Sequence, residues 1–155
     1  MIKIKKTNIS TINSACHELA KGSLIAFPTE TVYGLGADAT NDTAVAKIFS
    51  NKERPSFNPL IVHISSIDQA QKISIFNEKI ENLTDKFWPG PLTIILEKTK
   101  DSKISPLVSA GLKTIALRQP NNKTALSLIK KFKKPIAAPS ANKFGFLSPT
   151  SASHV

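Results

Sequence analysis

One cysteine, Cys16, stands in 155 residues, which excludes an internal disulfide and any metal site built on a cysteine cluster. At helical spacing from Ile12 and Leu19, it reads as a small core residue. Long apolar runs are also missing. None approaches the ~18 residues a membrane span needs, and the N-terminal MIKIKKTNIS carries charge without the apolar stretch of a signal peptide. A cytoplasmic location is the expectation, and triplets such as Asn8-Ile9-Ser10 then have no glycosylation meaning. Arginine is scarce: of 21 basic residues only Arg54 and Arg118 are Arg, so these two positions are the ones expected to need a planar fork. Acidic residues end at Asp101, although Lys103, Lys113, Lys123 and the cluster Lys130, Lys131, Lys133 and Lys134 follow. The resulting charge of +10 points to anionic partners such as phosphates or nucleic acid.

Apolar residues at 41% give this chain enough material for one globular domain. A helix with the stripe Ile12, Ala15, Cys16, Leu19 is expected after a cap at Ser10 or Thr11, with Gly22 closing it. The run SLIAF at 23–27 reads as a buried strand, and PTETVYGLGADA at 28–39 as a functional loop, since it has neither helical nor strand periodicity. A helix capped by Asn41 or Asp42 follows, then the polar KERPSFNP and a strand at 60–64. Helices are expected at 66–73 and 77–87, the second stopped by Trp88-Pro89-Gly90-Pro91. Strands at 92–96, 114–117 and 136–138 and a helix through Ala125, Leu128, Ile129 and Phe132 complete an alternating α/β pattern. Ser148-Pro149-Thr150 reads as a helix entrance that Val155 cuts short, which makes a truncated domain the expectation for 1–155.

Standard phosphate motifs are absent: there is no Gly-Lys-Ser/Thr, and Gly34-Leu35-Gly36 lacks the third glycine of a dinucleotide fingerprint. Directed donors are present instead. Lys52 and Arg54 stand two apart before Asn58, and Ser140 and Asn142 two apart after an apolar strand; either pair suits a polyphosphate or simply a solvated loop. Arg118, at a strand end, suits a substrate carboxylate or an ordinary ion pair, and His63 inside LIVHI suits a core histidine or a substrate contact. Thr29, Glu30, Thr31 and Tyr33 cluster at a strand end, where open α/β sheets bind ligands. No Ser/His/Asp order or metal-ligand spacing occurs.

The strings PTETVYGLGADA, KERPSFNPLIVHI, FWPGPLTIIL, AGLKTIALRQP and PIAAPSAN, with SPT behind, resemble in order and spacing the YrdC-like family, best known from threonylcarbamoyl-adenylate synthases of the TsaC type. The resemblance runs from about residue 8 to the end. It implies a twisted, open, mixed β-sheet flanked by helices, with a concave basic ligand cleft. It further implies that Thr31, His63, Arg118 and the backbone at Ala138 hold L-threonine. Arg54, Asn58, Thr114, Ser140 and Ser148 then surround ATP, and Lys52 with Arg54 and Ser140 with Asn142 form the family's KxR and SxN pairs in catalytic positions.

The implied reaction joins L-threonine, bicarbonate or CO2, and ATP into threonylcarbamoyl-adenylate and pyrophosphate. Mg2+ would come with ATP and not in a dedicated protein site. The product serves a downstream threonylcarbamoyl transferase complex acting on the adenosine beside the tRNA anticodon, with tRNA or double-stranded RNA as a further partner and no membrane. Members of the family normally continue beyond SPT. Competing readings are an inactive or fragmentary module that holds RNA or nucleotide without turnover, and a related carbamoyl-transfer domain of the HypF type. The absence of accompanying zinc-finger-like cysteine motifs disfavours the last.

Overall fold

A computed structural model describes residues 4–155. In chain order the elements are α1 (Ile9–Ala20), β1 (Ile25–Pro28), β2 (Tyr33–Asp38), α2 (Asp42–Lys52), β3 (Ile61–His63), α3 (Ile67–Gln71), α4 (Glu78–Phe87), β4 (Ile94–Glu97), β5 (Thr114–Arg118), α5 (Lys123–Phe132) and β6 (Ile136–Ala137). Asparagine starts most of the longer helices. Asn41, Asn77 and Asn122 each accept a backbone N–H from the first turn of α2, α4 and α5. The cap of α1 is Asn8, not Ser10 or Thr11: Thr11 is the third helical residue and closes a reciprocal box by accepting the Asn8 N–H. The expected helix at Ser148-Pro149-Thr150 is replaced by a 3-10 turn at Ala152–His154.

The six strands form one mixed sheet in the order β1-β2-β6-β3-β5-β4, open at both edges. Only β3 and β5 run parallel. Alternation along the strands divides the side chains between two faces. Val62, Leu117, Ala137, Ile94 and Leu96 join Ala44, Val45, Ile48 and Phe49 of α2 in one core. On the other face Ile136 and Ala138 pack with Phe27, with Leu19 of α1 and with Ala125, Leu128 and Ile129 of α5. Each Val, Leu, Ile or Phe side chain among them, once fully buried, contributes roughly 1.5–3 kcal/mol before chain entropy is set against it. This second cover ends near β6. Beyond it the same face stays open, with Ile95 70% exposed and Thr114 and Glu97 exposed.

The sheet curls toward this open half. β1 lies three strands from β3, a separation of ~14 Å in a flat sheet, yet the rings of Phe27 and His63 meet at 5.7 Å, edge to face. The curl explains why 28–39 is not simply a loop. Its second half is β2, paired with β1 through Ala26↔Leu35 and with β6 through Ala37↔Ala137. Gly34 and Gly36 hide the strand from a periodicity reading because they occupy inward positions without side chains. A Cβ on Gly36 would stand 2.7 Å from Phe27 Cε1 and 2.8 Å from Ile136 Cγ2, both buried. Gly36→Ala is therefore expected to destabilise by about 1–3 kcal/mol, since neither neighbour can withdraw from a filled core. Urea unfolding checks this, and an unchanged midpoint would mean that the curl has slack.

Candidate active site

Arg118 and His63 end the two parallel strands and stand side by side in register, with the Ile64 N–H donating to the Arg118 carbonyl at 3.0 Å. Arg118 is 7% exposed. Both terminal guanidinium nitrogens donate to Thr31 Oγ1 at 3.2 Å, and Nη2 also reaches Glu30 Oε1 at 3.0 Å. Thr31 is placed by its own turn: the Thr29 hydroxyl donates to the Val32 carbonyl at 2.7 Å and lies 3.0 Å from Thr31 Oγ1. Glu30 Oε1 also accepts the Asn121 N–H at 3.0 Å. Burial pushes the Glu30 carboxyl up, but the Asn121 and Glu30 backbone N–H groups and Arg118 outweigh it, leaving the group below its ordinary range. One planar fork thus holds a carboxylate and a hydroxyl together in a fixed geometry, which a lysine's rotatable ammonium would not impose. Arg118 Nε is buried without a partner among the described residues, as is His63 Nδ1.

Burial, followed by the neighbouring Arg118 charge, lowers the His63 pKa to about 4, while the backbone at Ile136 and Ile61 and the Glu30 carboxylate pull weakly the other way. The imidazole is neutral at pH 7. Ala138 lies on the adjacent strand segment, its N–H given to the Ile61 carbonyl at 2.9 Å.

The second group lies at the opposite end of β3. Arg54 leaves α2 through Glu53 in a left-handed conformation (φ 53°) and folds back on Asn58, with Nε to the Asn58 carbonyl at 3.2 Å and Nη2 to Asn58 Oδ1 at 2.8 Å. Its guanidinium also lies 5.7 Å from the centre of the Phe144 ring. Because Ile61 pairs with Ala116, Thr114 stands at the strand end where the chain arrives from Asn58. Ser140 bridges to Gly34 of β2, and Ser148 is an exposed residue beside Pro149, whose carbonyl accepts the Tyr33 N–H at 2.8 Å. Two further donors expected to face a polyphosphate are, like Arg54, engaged within the protein. Lys52 is 2% exposed and gives Nζ to the Ser140 carbonyl at 2.6 Å and to the Asn142 carbonyl. Asn142 Nδ2 donates to the Lys143 carbonyl at 2.7 Å and the Phe146 carbonyl at 2.8 Å, while Oδ1 is buried without a partner among the described residues.

The profile described as telomere recombination, that of the Sua5, YciO and YrdC proteins, matches residues 17–155. The chain belongs to the Sua5/YciO/YrdC family. It is 51% identical over 150 residues to a Bacillus subtilis (strain 168) protein named threonylcarbamoyl-AMP synthase, covering 96% of this chain and 43% of that one. Pyrococcus abyssi Sua5, solved in complex with L-threonine, matches with TM-score 0.92 and 46% identity over 97% of this chain and 44% of its own. Escherichia coli YciO matches with TM-score 0.81 and 25% identity, covering 92% of this chain and 68% of that one. The chain spans less than half the length of the first two relatives. Family membership also accounts for the open mixed sheet with flanking helices, which these structures share.

Within this family fold, Glu30 is the site residue that the sequence left without a role. Its position in the Thr29-Glu30-Thr31 cluster was the available signal, but its pairing with Arg118 spans 88 positions of chain and only the curl creates it. The Pro149 carbonyl carried no signal at all.

Proposed function

We propose that the chain carries the site of an L-threonylcarbamoyladenylate synthase, which joins L-threonine, bicarbonate or CO2, and ATP into threonylcarbamoyl-AMP and pyrophosphate. The observation that supports it most directly is the Arg118 fork. It already holds one carboxylate and one hydroxyl, from Glu30 and Thr31, and L-threonine brings those same two groups. In this reading Arg118 takes the threonine carboxylate, Thr31 and neutral His63 border its hydroxyl and amine, and the Ala138 backbone closes the pocket. Arg54, Asn58, Thr114, Ser140 and Ser148 border ATP, with the pairs Lys52/Arg54 and Ser140/Asn142 completing the catalytic loop.

The threonine amine adds to CO2 and loses a proton, giving a carbamate. A carbamate oxygen then forms a bond to the α-phosphorus in line as the bond to pyrophosphate breaks. No protein nucleophile is required, so the residues contribute positioning and charge stabilisation. None of the five residues assigned to ATP is a carboxylate, a donor set that suits Mg2+ carried on the phosphates, where it neutralises their charge, and not caged by the protein. The product would pass to a threonylcarbamoyl transferase complex acting on tRNA in the cytoplasm. Among the described residues no helix is long and apolar enough to cross a membrane. The test is pyrophosphate release with each substrate omitted in turn. Release is expected only with all three present, and release indifferent to threonine at high protein concentration would defeat the reading.

One observation favours a second reading, RNA binding without turnover. Lys72, Lys103, Lys130 and Lys133, against the single carboxylate of Asp68, line a cavity of about 570 Å³, together with Ser65 and Ser66, which follow β3 at the end away from Asn58. Phosphate backbone held there would give binding that weakens steeply with salt and survives Arg118→Ala. Filter binding across a salt series checks it, and salt-insensitive or absent binding counts against it.

A further inference from the structure

The loop 140–146 is the least regular part of the site, yet it is tied on two sides. On one side β2 holds it, through the Gly34 to Ser140 bridge and the Ala141 N–H donated to the Tyr33 carbonyl at 2.8 Å. On the other side is the end of α2. Lys52 Nζ bonds the carbonyls of both Ser140 and Asn142, and the Phe144 N–H returns to the Lys52 carbonyl at 3.1 Å. Arg54 then stacks on Phe144. With the side chain at 2% exposure, two of the three ammonium donors are spent on the backbone.

We propose that Lys52 is a positioning residue: its ammonium sets the loop that presents Ser140 and anchors Phe144 beneath Arg54, and it makes no contact with phosphate. A lysine that served the phosphates would have to release two carbonyls from a nearly solvent-free position, and each buried acceptor left unpaired costs roughly 1–3 kcal/mol. The charge left for the nucleotide is that of Arg54, which is less buried: its Nε and Nη2 are given to Asn58 and Pro59, while Nη1 donates to nothing among the described residues. The neighbourhood is cationic: besides Arg54, the exposed Lys143 approaches Glu53 at 3.8 Å.

This inference rests on the reading that the site takes ATP, and the experiment separates the two. AMP and ATP are titrated against the wild-type chain and Lys52→Met. Loss of a loop anchor weakens both nucleotides by the same factor, about tenfold for one lost hydrogen-bonded contact to a charged group. A tenfold larger loss for ATP than for AMP would overturn the proposal, because only contacts to the β- and γ-phosphates distinguish them. In ligand-free protein the variant is also expected to lose hydrogen-exchange protection at the Ala141 and Phe144 amides, and unchanged protection would overturn it as well. If Lys52→Met does not fold, amine-selective labelling of the wild type decides. Lys52 is expected to stay unreactive with and without ATP, whereas a reactive Lys52 that ATP protects would refute the assignment. Wild-type protein that binds neither nucleotide would refute the ATP reading, and exchange and labelling without ligand would still judge Lys52.

Discussion

Arg118→Ala is expected to cut threonine-dependent pyrophosphate release by about 100-fold or more, with most of the loss in the apparent affinity for threonine. Truncating one partner of a desolvated, hydrogen-bonded charge pair costs ~2–5 kcal/mol, and 1.4 kcal/mol is tenfold. The alanine variant loses the carboxylate clamp and also leaves Glu30 with only backbone N–H groups, those of Asn121 and of Glu30 itself, to answer its charge. Arg118→Lys sharpens the test. It keeps the charge at the end of β5 but not the fork, so a loss nearly as large as in the alanine variant is expected. Initial rates across a threonine series check both variants. An Arg118→Ala protein with wild-type threonine dependence would remove the residue from the site.

The second large effect concerns acid stability. His63 has a native pKa of about 4 against an ordinary value of 6.5, so the unfolded chain takes up the proton more readily. The advantage of keeping this imidazole neutral is complete above pH 6.5 and is lost as pH falls toward 4, at up to ~1.4 kcal/mol per pH unit and about 3 kcal/mol in all. Glu30, whose carboxyl is lowered, acts in the same direction but only below its ordinary value of 4.5. The two windows therefore barely overlap. Urea midpoints at pH 7 and pH 5 are expected to fall more for the wild type than for His63→Gln, which has nothing to titrate there. Equal falls would mean that another group carries the acid sensitivity.

Much of the fold was legible because it is written locally. The stripe Ala44, Val45, Ile48, Phe49 behind Asn41 announces α2, and Trp88-Pro89-Gly90-Pro91 announces the end of α4. The strings around Thr31, Arg54, His63, Arg118 and Ser140 likewise pointed to one family before any geometry was known. What stayed hidden was non-local. β2 reads as a loop because its glycines answer to Phe27 and Ile136, residues contributed by other strands. Lys52 reads as a free cation because nothing within its own helix shows that two carbonyls nearly ninety positions later will surround it.

Sequence alone, then, decided the chemistry on offer: two arginines amid many lysines, a hydroxyl-rich turn, one histidine in an apolar strand and no internal disulfide. Tertiary structure decided how that chemistry is allotted. It gave Arg118 a carboxylate and a hydroxyl to hold, kept His63 neutral by burial, and turned Lys52 inward onto two carbonyls while folding Arg54 back on Asn58. The reason is physical. Side-chain identity sets which bonds and charges are possible, but which of them are desolvated and paired depends on the curl of a sheet whose neighbouring strands are distant in sequence.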